Sequence, residues 1–197
     1  SDLCKYTRAE IERISHMAFA AARKRRNSVT LIDKANVLES SRLWRRVVTE
    51  LHKSEYHDVE LRFLFVDNAA MQMILAPNQF DVILTSNLFG DIISDEGSVI
   101  GGSIGLLPSA SVGARHALFE PIHGSFPQGA GKGIANPIAM ILSAGMMLTH
   151  FDMDDEAKAI TTAVDLALAQ GVCTPEVFPE GNYSTSDVGD FIAKNIA

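Results

Sequence analysis

The first hundred residues alternate short, β-rich apolar runs with stretches patterned at helical spacing, and this alternation constrains the fold more than any other feature. The runs are SVTLID at Ser28–Asp33, ELRFLFV at 60–66 and FDVILT at 80–85. After the first come Leu38, Leu43, Val47, Val48 and Leu51 at helical spacing, after the second the Met-rich DNAAMQMILA, and after the third a helix starting near Asn87. Strands that alternate with helices pair in parallel, so the pattern predicts an α/β fold with a largely parallel sheet. Upstream, Thr7-Arg8-Ala9-Glu10 reads as a capping box, and Ile11, Ile14, Ala18, Phe19 and Ala22 then form one stripe expected to be buried.

The texture changes between 101 and 136, where Gly, Ser, Pro and small residues suggest a long loop region; such a segment inside a domain is more often functional than idle. Apolar helices are predicted over 137–149 and about 154–170, and Ser186-Asp187 is expected to cap a last helix. No repeat or low-complexity linker interrupts the chain. Its 197 residues, 47% hydrophobic, suffice for a substantial core in one or two domains. A net charge of −7 argues against a nucleic-acid partner. The single basic run, Arg23-Lys24-Arg25-Arg26, falls where it would complement the negative end of a helix dipole. Cys4 and Cys173 lie far apart without metal-ligand spacing, as expected of free thiols in a reducing cytosol. No apolar run reaches the roughly 18 residues that span a membrane, and no signal peptide is recognised, so a cytoplasmic protein is expected. The chain starts at Ser1, almost directly in a helix and without an initiator Met, which suggests truncation at the N-terminus.

Three features carry possible chemistry. In NLFGDIISD, Asp91 and Asp95 stand at i and i+4, a spacing that puts both carboxylates on one helix face. Like charges so placed repel unless a cation compensates them, and hard oxygen donors suit Mg²⁺ or Mn²⁺; a solvated acidic face has the same spacing. Asp67 ends an apolar strand and enters a helix, where α/β folds place functional groups, and it fits a third ligand or an N-cap equally. Lys34 follows the strand VTLID. It is either an ordinary surface lysine or, beside a bound dication whose charge repels its proton, a base.

The glycine-rich segment fits neither common phosphate motif. Gly129-Ala130-Gly131-Lys132-Gly133 lacks the Ser/Thr that follows a P-loop lysine, and Phe126 stands where that motif has its first glycine. Gly131 to Asn136 approximates GxGxxG but ends in Asn and follows no convincing strand. Its glycines still permit close backbone approach to a ligand, His123 can stack on or bond a base, and Asn136 offers an amide donor and acceptor. A purely structural loop remains the alternative.

Taken together, ARKRR at 22–26, DKANVLESSRLWR at 33–45, VDNAAMQ at 66–72, NLFGDIISDEGS at 87–98, GLLPSAS at 105–111 and EPIHGSFPQGAGKGIANP at 120–137 resemble the β-decarboxylating dehydrogenase family of isopropylmalate, isocitrate and tartrate dehydrogenases. The segments run in the family's order over nearly the whole chain. DKANVLESS resembles the isopropylmalate branch, since isocitrate enzymes usually carry Gly where Ala35 stands.

The resemblance implies an isocitrate/isopropylmalate dehydrogenase-like α/β sandwich, truncated at the N-terminus. Residues 1–100 would be part of a substrate-binding and dimerisation domain, and 101–197 the C-terminal part of a cofactor domain. The implied reaction is NAD- and metal-dependent oxidative decarboxylation of 3-isopropylmalate, a step of leucine biosynthesis. Asp67, Asp91 and Asp95 would bind Mg²⁺ or Mn²⁺, with Lys34 as the base and Asn36, Val37 and Asp67 near the substrate. Glu120, His123, Gly124, Ser125, Gln128, Gly131, Lys132, Gly133, Ile134 and Asn136 would hold NAD. A homodimer with shared active sites is implied, in which Lys34, Asn36 and Asp67 serve the partner subunit's site. Its interface would use Leu43, Val47, Leu51, Met71, Ile74 and Leu75.

Two departures matter. Family chains are nearly twice as long, and the part without a counterpart here carries the substrate-binding arginines and a proton-donating tyrosine, so this length alone is expected to be inactive; Tyr6 does not inherit that role. Gln128 stands where NAD-preferring members usually place an Asp on the ribose. The alternatives are a sibling substrate (isocitrate, homoisocitrate or tartrate) and a non-catalytic dimerising subunit.

Overall fold

A computed structural model describes every residue except Asp2 and Ala197. The chain divides into two compact units, Ser1–Gly97 and Ser98–Ala197.

In the first unit, α1 (Arg8–Arg23), β1 (Ser28–Asp33), α2 (Glu39–Glu55), β2 (Glu60–Phe65), α3 (Val66–Leu75) and β3 (Val82–Thr85) follow in order, and α4 (Asn87–Ile100) begins there and continues past Gly97. The sheet is wholly parallel with order β2-β1-β3, and Leu31 of β1 faces Phe63 on one side and Leu84 on the other. Every residue of β1 is buried, Ser28, Thr30 and Asp33 as well as Val29, Leu31 and Ile32, because a central parallel strand is covered on both faces. The capping box at Thr7 and Glu10 opens α1. Phe19 stacks on Tyr56 at 4.5 Å within a core that includes Trp44, Val47 and Val48. Ile14, expected in the buried stripe, is exposed instead.

The basic run works mainly as a set of tethers rather than as a dipole partner. Arg23 pairs with Asp58, Arg25 with Asp81, and the Arg26 guanidinium donates to the carbonyls of Asn78 and Phe80. These contacts fasten the α1–β1 connection to the segments that lead into β2 and β3. Only Arg23 lies in the last helical turn. The Asp81 side chain is 2% exposed, and burial pushes its carboxyl up, yet it stays below the usual range. The opposing bonds from Arg25 and the amides of Ser28 and Arg26 outweigh the loss of water.

The second unit has a hairpin, β4 (Pro108–Val112) with β5 (Ala117–Pro121), and three helices, α5 (Ile138–His150), α6 (Asp154–Ala169) and α7 (Thr185–Lys194). The hairpin corrects the expectation of a loop over 101–136. Its small residues give no clear apolar alternation; it is held by antiparallel ladder bonds and lies against α5. Ile138, Val164, Ala167, Val188 and Ile192 form the core. The last helix is capped by Ser184, not Ser186: the Ser184 hydroxyl accepts from the Asp187 amide, and the Asp187 carboxylate accepts from the Ser184 amide. No helix among the described residues is long and apolar enough to cross a membrane.

Candidate functional site

Parallel pairing of β1 with β2 sets Asp33 opposite Phe65, so the residues that follow these two strand ends meet. Lys34 Nζ lies 2.5 Å from Asp67 Oδ1. The Lys34 ammonium holds the Asp67 carboxyl below its usual range, with help from the amides of Asp67 and Asn68. Asp67 sits in the first turn of α3 and is not its N-cap; Phe65 holds that position, without a side-chain cap.

Lys34 is held from below by residues that sequence reasoning missed. The buried Asp33 carboxylate takes two bonds from Arg45, Nε to Oδ2 at 2.8 Å and Nη2 to Oδ1 at 2.9 Å. Its Oδ1 also accepts from the Ala35 amide, and the Lys34 amide donates to Ser41 Oγ. The Arg45 guanidinium lies over the rings of Phe63 and Phe65, 5.0 and 5.2 Å from their centroids. Desolvated charge, bidentate geometry and ring contact together fix the end of β1. The sequence signal was the acidic residue beside Lys34 with an arginine on the following helix. Asn36 and Val37 lie in the exposed turn between β1 and α2.

Asp91 and Asp95 are both exposed on α4, one turn apart. Gly90 keeps this helix close to the end of β3, since an added Cβ would come within 3.2 Å of Thr85 Cγ2. Tyr6 serves the same helix: its hydroxyl accepts from the Asn87 amide at 3.1 Å. Among the described residues, no three His, Cys, Asp or Glu side chains converge as a metal site within this chain. The oxygen donor set of Asp67, Asp91 and Asp95 nevertheless suits a hard divalent cation in kind.

In the second unit, a cavity of about 290 Å³ is lined by His123, Gly124, Ser125, Ile134, Asn136 and Glu176, among others. Asn136 is only 7% exposed. Its Oδ1 accepts from the Ile138 amide at 3.0 Å, while its Nδ2 is buried without a partner. One lone pair of that oxygen is thus engaged by the start of α5, and the amide donor is unpaired. A buried amide donor left unpaired is costly and fits a ligand acceptor such as a ring nitrogen. Gly131 and Gly133 have φ of 72° and 65°, a conformation that L side chains adopt at a cost. Thr185 ties this loop to α7, its amide donating to the Gly133 carbonyl and its hydroxyl to the Ala135 carbonyl. Glu120 is exposed on β5, and Gln128 and Lys132 are exposed on the loop; none of the three lines the cavity. Glu176 does line it, and its position was not read from the sequence. A larger opening of about 930 Å³, bounded by Leu106, Gly171, Cys173 and Phe178 among others, contains none of the expected site residues.

The apolar residues expected at a dimer interface separate into two groups. Val47 and Leu51 are buried in the unit's own core, and Leu43 packs against that core. Met71, Ile74 and Leu75 are exposed on α3, as are Leu88, Ile92, Val99 and Ile100 on α4.

The model of the isocitrate/isopropylmalate dehydrogenase family matches residues 1–192. The chain is 54% identical over 195 residues to 3-isopropylmalate dehydrogenase of Aquifex aeolicus, covering 98% of this chain and 53% of that protein. With the enzyme of the same name from Shouchella clausii the identity is 56% over 200 residues, covering 100% and 55%. The chain thus spans about half the length of these curated relatives. Its structure is similar to crystalline isocitrate dehydrogenase from Methylococcus capsulatus, with a TM-score of 0.95, 40% identity, and coverage of 100% of this chain and 58% of that one.

Proposed function

The chain belongs to the isocitrate/isopropylmalate dehydrogenase family, and from that premise we propose that the whole protein oxidatively decarboxylates 3-isopropylmalate with NAD and Mg²⁺ or Mn²⁺. The observation that carries this reading is the Lys34–Asp67 pair at adjoining strand ends, within the segments that resemble the family's active site. Curated relatives of the proposed name are 54% and 56% identical, against 40% for the isocitrate enzyme compared, which favours isopropylmalate over the sibling substrate. A non-catalytic subunit is disfavoured because Lys34, Asp67, Asp91 and Asp95 are all present.

In this reading Lys34 enters the step as the neutral amine, its proton given up beside the bound dication, and Nζ receives the proton of the substrate hydroxyl as the adjoining carbon gives up hydride. Asp67, 2.5 Å away, stabilises the ammonium that forms. Asn36 and Val37, exposed beside Lys34, line the approach of substrate and nicotinamide. Asp91 and Asp95 hold the divalent ion with Asp67. The bound ion supplies Lewis acidity to the substrate oxygens and to the enolate left when CO₂ departs. NAD supplies the hydride acceptor, and the loop from His123 to Asn136 holds its adenosine end.

Two copies would form the working enzyme, Lys34, Asn36 and Asp67 of one meeting Asp91 and Asp95 of the other. Support comes from the absence of a three-carboxylate group among the described residues of a single chain and from the exposed apolar residues of α3 and α4. Apolar surface of that kind marks protein interfaces. The test is a comparison of the intact protein on isopropylmalate, isocitrate and tartrate with NAD and Mn²⁺. Isopropylmalate should be oxidised with by far the highest kcat/KM; higher kcat/KM for either other acid would overturn the substrate assignment.

A further inference from the structure

Asn87, Asp91 and Asp95 stand at i, i+4 and i+8 of α4, so the first residue of the helix heads the row that carries both exposed carboxylates. A first helical residue has no carbonyl partner for its amide within the helix. The Asn87 amide finds an acceptor 81 positions away in sequence, the Tyr6 hydroxyl, at 3.1 Å. One residue before Asp91, the Gly90 amide donates to the Ser86 carbonyl at 2.8 Å, the helix's own first bond.

Tyr6 is held independently of its bond to Asn87. Its ring packs edge-on against Trp44, with centroids 5.3 Å apart and planes at 82°, and Trp44 is buried in the core of the same unit. The next residue, Thr7, is fixed by the capping box of α1, in which its amide and its hydroxyl each donate to Glu10 Oε2 at 2.7 Å. Ring and backbone together aim the hydroxyl at α4. Removing that oxygen alone leaves the ring's anchorage intact.

Groups that hold an ion must stay within about 0.5 Å of the productive geometry. At ~1.5 Å per residue, Asp95 lies about 12 Å along the helix axis from Asn87. A tilt of about 2–3° at Asn87 therefore moves Asp95 by the whole tolerance. We propose that Tyr6 is a positioning residue for the divalent ion, its hydroxyl fixing the start of α4 and so the placement of Asp91 and Asp95. The inference rests on the reading that these carboxylates hold Mg²⁺ or Mn²⁺, and it adds a residue from outside the motifs that suggested them. Two hard cations feel the loss unequally. Mg²⁺ demands near-ideal octahedral geometry, whereas Ca²⁺ accepts a flexible shell of variable number. A role confined to holding the fold together does not distinguish them.

The experiment titrates the intact protein with Mg²⁺ and, separately, with Ca²⁺ by calorimetry, in wild type, Tyr6→Phe and Asn87→Pro, with urea unfolding to establish that each variant is folded. Tyr6→Phe keeps the ring on Trp44 and loses the acceptor. Asn87→Pro keeps Tyr6 and loses the donor, at a first helical position where proline is well tolerated. Each should weaken Mg²⁺ binding by about three- to tenfold, the scale of one hydrogen bond, and Ca²⁺ binding by less than about twofold. An unchanged Mg²⁺:Ca²⁺ affinity ratio in Tyr6→Phe, or in Asn87→Pro should the first variant fail to fold, would overturn the role of Tyr6 and leave the metal reading intact. Binding of neither ion by the wild type would overturn the metal reading and this inference with it.

Discussion

Lys34 and Asp67, 33 positions apart in sequence, meet as an ion pair of 2.5 Å because parallel β1 and β2 end side by side. The pair is rooted in a second, buried one between Asp33 and Arg45. Removing Arg45 strands the Asp33 carboxylate away from water. Arg45→Ala should therefore lower stability by about 3 kcal/mol, as expected when one partner of a largely buried pair is lost. Urea unfolding of the intact protein measures this. Because Asp33 fixes the turn that carries Lys34, kcat should fall more than KM rises, and Arg45→Lys, which cannot reproduce the bidentate contact, should recover little. A variant with full stability and activity would show that the clamp positions nothing.

Asp58 and Asp81 should contribute to the acidic side of the stability profile. The Arg23 side chain lowers the Asp58 carboxyl to about 2 from an ordinary 3.8, and Asp81 is also lowered. With folded values below the unfolded ones, their contribution is present above the ordinary range and is lost as pH falls toward the folded values. Urea midpoints should drop between about pH 4 and pH 2, where the unfolded chain binds more protons. Asp81→Asn should cost about 1–2 kcal/mol at neutral pH, through weaker bonds to Arg25 and two amides, and should flatten the acid limb. An unchanged limb would place the acid sensitivity elsewhere.

Asp91→Asn should sharply weaken Mn²⁺ binding by the intact protein in calorimetric titration, and activity should fall with it, since an anionic oxygen donor is lost. Unaltered metal affinity would remove α4 from the proposed metal site.

The exposed Gln128 bears on cofactor choice in the proposed reading. It can bond a ribose hydroxyl but lacks the charge that repels a 2′-phosphate. Gln128→Asp should raise the NAD:NADP ratio of kcat/KM by the equivalent of ~1–3 kcal/mol, one interaction with a charged group. No change would mean that Gln128 does not face the ribose.

The βα units of the first hundred residues were legible because short β-rich runs such as SVTLID alternate with stretches of apolar residues at helical spacing. Helix α7 held a finer signal. Ser184, rather than the expected Ser186, lies three residues before Asp187, the spacing a capping box requires, and it is the observed cap. The β4–β5 hairpin was not legible, as its small residues do not alternate. Helical spacing also could not say what covers a stripe: Val47 and Leu51, read as interface, pack in their own unit. The site was legible as separate motifs, while the Asp33–Arg45 pair and the place of Glu176 in the cavity wall depend on proximities that only the folded chain creates.

The proposed sharing of the active site between two subunits is tested most directly by pairing two inactive variants. Intact protein carrying Lys34→Ala is mixed with intact protein carrying Asp91→Asn, the subunits are exchanged, and isopropylmalate-dependent NADH formation is measured. In a mixed dimer one site then gathers both lesions and the other none. The account predicts that activity absent from each variant alone returns, with about half the wild-type turnover in each mixed dimer. A mixture in which subunit exchange is verified and activity stays absent would contradict it, placing Lys34 and Asp91 in the same site of a single chain.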